Sequence, residues 1–392
     1  MLLSFALIFL GGTALAAVVE KLHLPRLLGM LLAGIVLGPY VLGWIDGTVL
    51  EISAQIRQIA LTIIMLRAGL ALNLHDLRKV GRPAAMMCCV PALFEIGGFV
   101  LLGMWLLQIS PLDAAVIGCI LAAVSPAVLV PKMLRLMEEG YGTAKGIPQM
   151  LLAGASVDDV FVIVLFTGFA NLAQTGEFSA LALLQIPISI LLGVTVGSGS
   201  GFVLAKLFAR FVRTPAVQMM VLLSVAFLFT EIENRLKGTA ISFAAMLAVI
   251  SMGVCVLRFA QPVAKALQPK FSGMWSFAEI FLFVLVGAMI NLSYAAAVGP
   301  WCVVVILGAM VFRAVGVLLC IIKTALNWWE RLFCVIAYVP KATVQAAIGG
   351  VPLAMGLACG DLAATVAVLA ILITAPLGAL GIEWSYKKLL SR

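Results

Sequence analysis

Residues 146–171 of the chain read GIPQMLLAGASVDDVFVIVLFTGFAN, an apolar run with two adjacent aspartates, Asp158 and Asp159, near its middle. A membrane-spanning helix takes about 20 predominantly apolar residues, so this run is long enough to cross a bilayer. An ionised group at that depth is costly and is therefore a sign of function by default. The run predicts a spanning helix whose two carboxylates do more than pack.

The rest of the chain has the same apolar character. Of its 392 residues, 64% are hydrophobic and only 11% are charged, and the mean hydropathy is +1.20. A soluble domain is about half apolar and about a quarter charged, so the composition excludes one here. The apolar runs are continuous rather than alternating, which excludes a transmembrane β-barrel as well. We therefore predict an all-α polytopic membrane protein.

The basic residues indicate how the spans are oriented. The approximate limits of thirteen predicted spans are 2–19, 27–42, 54–72, 82–108, 112–137, 146–171, 183–209, 215–232, 238–258, 274–292, 301–322, 331–356 and 361–384. Nineteen of the 25 basic residues fall in one set of alternate loops, which by the positive-inside rule is cytoplasmic. We therefore expect a multi-pass protein of the cell (inner) membrane with its N-terminus outside and its C-terminus in the cytoplasm. Because the net charge of +8 resides largely in these loops, we expect membrane lipids and no nucleic acid as partners.

Five ionisable residues lie close to the centres of spans: Glu95, Asp158, Asp159, Arg313 and Lys341. Glu95 in span 4 and Arg313 in span 11 stand at a similar depth. Pairing cancels much of the cost of burying ions, so we expect these two to form an ion pair that joins two helices. Adjacent residues on a helix point about 100° apart, so Asp158 and Asp159 cannot both face one partner. One of them is expected to contact a neighbouring helix and the other a cavity.

Prolines interrupt two of the spans. Span 5 contains Ser125-Pro126, and span 12 contains Pro340-Lys341. Mid-membrane proline breaks a helix, which is tolerated where the freed backbone lines a cavity. The two interrupted spans are seven apart, an odd offset, so they belong to halves of opposite orientation. Paired interruptions in inverted halves point to a transporter's midplane site.

Several segments of the sequence resemble those of a known family. The segments SPAVLVP (125–131) and ASVDD (155–159) are similar to those of the cation:proton antiporter superfamily. The segment PKATVQAAIG (340–349) resembles the NHA-type sodium/proton antiporter branch. The resemblance implies an NhaA-like antiporter fold of about 13 transmembrane helices, with two inverted-topology repeats and crossed broken helices.

The resemblance also implies roles for the mid-span charges. Asp159 would be the main cation- and proton-binding carboxylate, with Asp158 as its partner. Arg313 would face that site and pair with Glu95. Lys341 would stabilise the crossover of the broken helices, where we expect it to offset the partial negative charge of the C-terminal helix ends.

The domains follow from the same resemblance. A homodimer is implied, with a dimerisation or scaffold domain at 1–80 and 214–295. An ion-transporting core domain would comprise 81–172 and 296–385. Residues 181–213 would form a linker helix.

The charges themselves agree with exchange. The five mid-span groups sum to one negative charge when all are ionised, so one Na⁺, one Li⁺ or one proton neutralises the set. Hard oxygen ligands suit small alkali cations, and Ser125, Ser156 and freed carbonyls near Pro126 could complete the shell. No Walker motif or dinucleotide fingerprint accompanies the spans, so any transport is expected to be passive or powered by an ion gradient. We also expect no cofactor and no enzyme activity. The sequence thus predicts an alternating-access antiporter of Na⁺ (or Li⁺) and H⁺.

Three other functions fit these residues less well. An intramembrane aspartyl protease needs two aspartates converging from different helices, whereas Asp158 and Asp159 are adjacent and diverge. A channel is disfavoured because nothing resembles a repeated filter loop. A sodium-coupled symporter of a small organic anion is the stronger alternative, since related inverted-repeat folds support it.

Overall fold

The computed structural model describes residues 1–22, 24–71, 81–175, 180–211, 214–236 and 243–392, without the side chains at 127, 131, 156, 157, 160, 175 and 180–187. In this part of the chain the regular secondary structure is entirely helical. The helices are α1 (Leu2–Lys21), α2 (Arg26–Leu37), α3 (Gly47–Glu51), α4 (Ser53–Ala71), α5 (Arg82–Met87), α6 (Val90–Leu102), α7 (Pro111–Ala122), α8 (Pro126–Glu139), α9 (Ile147–Thr175), α10 (Ala180–Arg210), α11 (Pro215–Leu236), α12 (Ala245–Phe259), α13 (Gln261–Ala288), α14 (Leu292–Cys320), α15 (Trp328–Ala337), α16 (Thr343–Ile348), α17 (Val351–Ala354) and α18 (Gly360–Leu389). A π-helical turn, Gly103–Leu107, extends α6.

The helices bear out the prediction of a polytopic membrane protein. Seven described segments are long and apolar enough to cross a bilayer: Leu2–Lys21, Arg82–Leu107, Ile188–Arg210, Pro215–Leu236, Gln261–Ala288, Leu292–Cys320 and Gly360–Leu389. Shorter apolar helices accompany them: Arg26–Leu37, Pro111–Ala122, Phe161–Gln174, Ala245–Phe259 and Thr343–Ala354. Each predicted span falls on one or more described helices.

Several predicted spans differ in their limits; span 11, for example, was predicted to begin at 301, but α14 begins at Leu292. Two differences have a cause that is visible in the sequence. Span 4 is interrupted at Cys88 and Cys89, between α5 and α6. The reason is Pro91, whose ring would clash with the carbonyl four residues earlier if α5 continued into α6. Span 10 was predicted to begin at 274, but α13 already begins at Gln261. Pro262 suits the first turn of a helix, so the basic residues that follow it lie on the helix rather than in a loop.

The chain divides into two compact units. Unit 1 comprises Met1–Ala54, His75–Phe166 and Ile280–Arg392, and unit 2 comprises Gln55–Leu74 and Thr167–Glu279. The predicted scaffold, core and linker domains stay a prediction, since these units report compactness and not movement.

Unit 2 contains the glycine-rich helix α10. Cβ atoms added at Gly193, Gly197 or Gly201 would collide with the backbone of the segment that leads into and forms α12. The four-residue spacing puts these glycines on one face of α10. Small residues on one face let two helix backbones approach closely, so α10 and α12 pack as neighbours.

In unit 1, helix α6 lies along α14 with little room between them. A Cβ at Gly98 would meet the ring of Phe312, and a Cβ at Gly316 would meet the backbone of Pro91. Glu95 stands three residues before Gly98, and Arg313 stands three residues before Gly316. Residues three apart share a helix face, so the close packing that these glycines permit also turns the two charged side chains toward each other.

Candidate functional site

Two broken helices meet in the middle of unit 1. Helix α7 ends at Ala122 and α8 begins at Pro126, while α15 ends at Ala337 and α16 begins at Thr343. The backbone N–H of Ser125, in the first break, donates to the carbonyl of Pro340 in the second at 2.8 Å. The predicted crossing of two broken helices is therefore confirmed, and the prolines in the two breaks explain it.

Four buried ionisable side chains, Glu95, Asp158, Arg313 and Lys341, form what we call the charge cluster. Arg313 donates to Glu95 Oε2 through Nη1 at 2.7 Å, and Lys341 Nζ lies 2.6 Å from the same oxygen. Each of the four is at most 2% exposed. The cluster holds two carboxylates and two basic groups, so it carries no net charge when all four are ionised.

The guanidinium of Arg313 reaches more than its carboxylate partners. Nη1 also donates to the carbonyl of Ala122, the last residue of α7, and Nε donates to the carbonyl of Tyr338, which follows α15, at 2.9 Å. The central carbon of the guanidinium, Cζ, lies 5.2 Å from the centre of the Tyr338 ring. Helix C-termini carry partial negative charge, so a single cation offsets the ends of both first half-helices.

Asp158 and Asp159 lie in different settings, as the helical angle between adjacent residues predicts. Asp158 Oδ2 accepts from Nη2 of Arg313 at 3.1 Å and from the backbone N–H of Val124 at 2.9 Å. Asp159 is 5% exposed, and within the described residues its Oδ1 is buried without a hydrogen-bond partner. Asp158 therefore belongs to the charge cluster, whereas Asp159 would add one negative charge to the site if it were ionised.

The ammonium of Lys341 binds Glu95 at 2.6 Å. The sequence led us to expect that Lys341 offsets the partial negative charge of the C-terminal helix ends, and that role stays a prediction. The carbonyls at the end of α7 are taken by Arg313 and by the side-chain amide of Gln345. The backbone N–H of Lys341 donates to Thr374 Oγ1 on α18 at 2.9 Å. Lys341 is therefore held by two elements, one through its side chain and one through its backbone.

Of the two serines predicted as cation ligands, the structure describes the side chain of only one. Ser125 lies in the first break, is 1% exposed, and its Oγ has no hydrogen-bond partner within the described part of the chain. The side chain of Ser156 lies outside the described residues. Sequence reasoning missed Gln345 and Thr374. Both are polar residues in apolar stretches, and Gln345 stands in the quoted segment 340–349, so a search of spans for polar residues as well as ions would have found them.

Comparisons with known proteins agree with this architecture. The chain matches the family described as "Sodium/hydrogen exchanger, transmembrane" over residues 5–388. It is 32% identical over 379 residues to Sodium/hydrogen exchanger 9B2 of Homo sapiens, a match that covers 91% of this chain and 68% of that protein. For the Mus musculus protein of the same name the identity is 31% over 369 residues, covering 91% and 67%.

A solved structure shows the same fold. The sodium proton antiporter MjNhaP1 from Methanocaldococcus jannaschii superposes with a TM-score of 0.85 over 99% of this chain and 98% of that one, at 22% identity. The similar proteins are transporters, in keeping with the prediction that the chain is not an enzyme. By its match along almost the entire length, this chain belongs to the sodium/hydrogen exchanger family of transmembrane proteins.

Proposed function

We propose that the protein is a secondary active antiporter that exchanges Na⁺ or Li⁺ for H⁺ by alternating access. Cation and proton compete for the aspartate pair, with Asp159 as the principal binding group. One observation carries the proposal: Asp159 is buried beside an already balanced charge cluster, and its Oδ1 has no partner within the described residues. Such a carboxylate is left available for a cation or a proton.

The charge balance supports obligatory exchange. The charge cluster is neutral, so the site with an ionised Asp159 carries one uncompensated negative charge. Crossing the bilayer in that state is heavily penalised, whereas binding one monovalent cation or one proton to Asp159 removes the penalty. The cation and the proton compete for Asp159, and the site is disfavoured from crossing the bilayer with neither of them bound. These two conditions are sufficient for coupled exchange.

Buried oxygen atoms near the two breaks support an alkali cation as cargo. Oγ of Ser125 and Oγ1 of Thr343 are buried and without hydrogen-bond partners in the described part of the chain. Hard oxygen ligands of this kind suit Na⁺ and Li⁺. Ser156 remains a proposed further ligand from the sequence. The transported ions are substrates, and the proposal requires no cofactor.

The larger assembly is proposed from the sequence and the family. The protein would be a homodimer in the cell (inner) membrane, surrounded by lipids, with its N-terminus outside and its C-terminus in the cytoplasm. The proposed core, 81–172 and 296–385, would move against the scaffold, 1–80 and 214–295, with 181–213 as the linker. In support, every member of the charge cluster, together with Asp159, falls within the proposed core.

The test is transport by the purified full chain in proteoliposomes containing a pH-sensitive dye. Na⁺, Li⁺ and K⁺ are added in turn to acid-loaded vesicles, with choline as the control cation. We expect Na⁺ and Li⁺ to drive proton efflux with saturable dependence on concentration. Proton movement that is the same with choline, or Na⁺ uptake without a counterflow of protons, would overturn the proposal. Na⁺ uptake that requires an organic anion would identify the symporter.

A further inference from the structure

The side chain of Gln345 lies against the carbonyl end of half-helix α7. Its Nε2 is 3.0 Å from the carbonyl oxygen of Ile120, 3.1 Å from that of Leu121 and 3.0 Å from that of Ala123. The last four carbonyls of a helix have no partner within that helix. Gln345 is fully buried, so its amide replaces the water that would otherwise satisfy them.

Gln345 and Arg313 divide this helix end between them. Arg313 donates to the carbonyl of Ala122, the one oxygen in the run 120–123 that Gln345 does not contact. The charge cluster is balanced without Asp159, so a second cation at this helix end would offset the negative charge of Asp159 that the proposed exchange leaves for the transported ion. A neutral amide supplies donors to the carbonyls without changing that balance. The same contacts fix the orientation of the amide, because its oxygen would be repelled by three carbonyls.

The link from Gln345 to the aspartates passes through one peptide group. The carbonyl of Ala123, which accepts from Gln345, and the N–H of Val124, which donates to Asp158 Oδ2 at 2.9 Å, belong to the same peptide unit. A peptide unit is planar, so holding its oxygen on one side fixes the direction of its N–H on the other. Gln345 thereby sets the direction of the hydrogen bond that Asp158 receives.

We propose that Gln345 is a positioning residue of the exchange site: it holds the 123–124 peptide so that the N–H of Val124 stays directed at Asp158. This inference rests on the proposed function. With that N–H in place, Asp158 stays engaged in the charge cluster and Asp159 is left to bind the ion. Without it, Asp158 loses one of its two donors and competes with Asp159 for the cation and the proton.

Two variants of Gln345 test the inference in the proteoliposome assay. Gln345→Met removes the donors at similar volume, and we expect the apparent affinity for Na⁺ to fall about tenfold, as for loss of one hydrogen bond to a charged group. Gln345→Glu keeps the shape, but its ionised form has no donor, so we expect transport only at pH values acidic enough to protonate it. Its activity profile should therefore shift toward lower pH.

Gln268 provides the matched control. Its Nε2 donates to the carbonyl of Leu70, near the end of α4 in unit 2, at 2.7 Å. Gln268→Met and Gln268→Glu remove a comparable bond to a helix end, and we expect a lower melting temperature with unchanged Na⁺ affinity and pH profile.

Three results would count against the inference. If Gln345→Met has wild-type Na⁺ affinity and pH dependence, Gln345 is only structural, even if the melting temperature falls. Should Gln345→Met not fold, Gln345→Glu carries the test, and an unshifted pH profile overturns the inference. A wild-type protein that moves no protons with Na⁺ would overturn the proposed function and this inference together.

Discussion

Arg313 donates to Asp158 through Nη2 at 3.1 Å, on the same carboxylate oxygen that accepts the N–H of Val124. Two donors on one oxygen hold the carboxylate of Asp158 in a fixed position. The neighbouring Asp159 is buried without an ion pair in the described part of the chain. Two adjacent residues of one type thus have different chemical environments, and this difference leads to the first prediction.

Asp159→Asn should abolish Na⁺-driven proton movement while the protein still folds. Asparagine has nearly the shape of aspartate but binds no proton in the physiological range and carries no charge to exchange. Asp158→Asn should instead shift the pH profile or the apparent Na⁺ affinity before activity is lost completely. Dye-loaded proteoliposomes measure the transport, and a thermal-shift assay on the same preparations verifies folding. Normal Na⁺-induced proton efflux in Asp159→Asn would refute the assignment of the site.

The second prediction concerns Glu95, which Arg313 and Lys341 share. Removing one member of a buried ion pair costs about 3–5 kcal/mol because a charge is left uncompensated. Glu95→Gln leaves Lys341 without its carboxylate, whereas the double variant with Lys341→Met leaves Asp158 and Arg313 as a balanced pair. We therefore expect the double variant to lose less unfolding free energy than the two single variants lose together. The difference, which is the coupling energy, should be about 0.5–3 kcal/mol.

The measurement is a double-mutant cycle of chemical or thermal unfolding in detergent. Glu95→Gln combined with Arg313→Met is the comparison, because it also leaves the carbonyls of Ala122 and Tyr338 without their donor. That combination should be the less stable of the two doubles. Additive losses for Glu95 and Lys341 would show that the 2.6 Å contact contributes nothing to stability.

The third prediction is that Arg313→Lys destabilises the protein although it keeps the charge. Arginine presents five donors on a planar fork, whereas lysine offers three from a single point. Arg313 uses this fork to reach two carboxylates and two carbonyls on different helices. A lysine cannot span them, so at least one carbonyl loses its partner, at about 1–3 kcal/mol. A thermal-shift assay measures this loss of stability, with Lys323→Arg, a substitution at an exposed lysine, as the control. Equal stability of Arg313→Lys and wild type would contradict this account.

The parts of the site that the sequence predicted are those that carry charge or break a helix. Glu95 and Arg313 could be paired because they stand at similar depths in spans related by the inverted repeat. The partner of Lys341 could not be chosen, since three carboxylates were available and only the packing selects Glu95. The expectation for Lys341 relied on the partial charge of helix ends, and a full negative charge attracts an ammonium more strongly than a partial one.

Uncharged donors and local breaks were harder to foresee. Gln345 carries no charge, so the search for buried ions did not include it, although its two N–H donors lie within hydrogen-bond distance of three carbonyls. The break at Cys88 and Cys89 was signalled by Pro91 two residues later, yet the continuous hydropathy of span 4 concealed it. Hydropathy predicts where a chain crosses a membrane. It does not report where the backbone needs an additional donor, because that depends on which helix packs beside the break.

The last prediction concerns Thr374, the acceptor for the backbone of Lys341. The N–H of Lys341 lies in the second break, where no helix provides a carbonyl for it, and it donates to Thr374 Oγ1 at 2.9 Å. Both residues are fully buried. Thr374→Val keeps the shape and removes the acceptor, so it leaves a buried donor without a partner and should cost about 1–3 kcal/mol of stability. Thr374→Ser keeps the hydroxyl and loses only a methyl group, so it should be the milder variant.

Gly378 lies one turn after Thr374 on α18, and its packing indicates where the loss of the Thr374 hydroxyl should be detected. A Cβ at Gly378 would collide with the ring of Pro340, so α18 contacts the break directly. Loss of the Thr374 acceptor should therefore loosen the segment that carries Lys341, increasing amide hydrogen exchange over 338–342 and not in α10. Thermal shift and hydrogen exchange of Thr374→Val, Thr374→Ser and wild type provide the comparison. If Thr374→Val exchanges over 338–342 as slowly as Thr374→Ser, the hydroxyl does not hold the break, and the position of Lys341 depends on its ion pair with Glu95 alone.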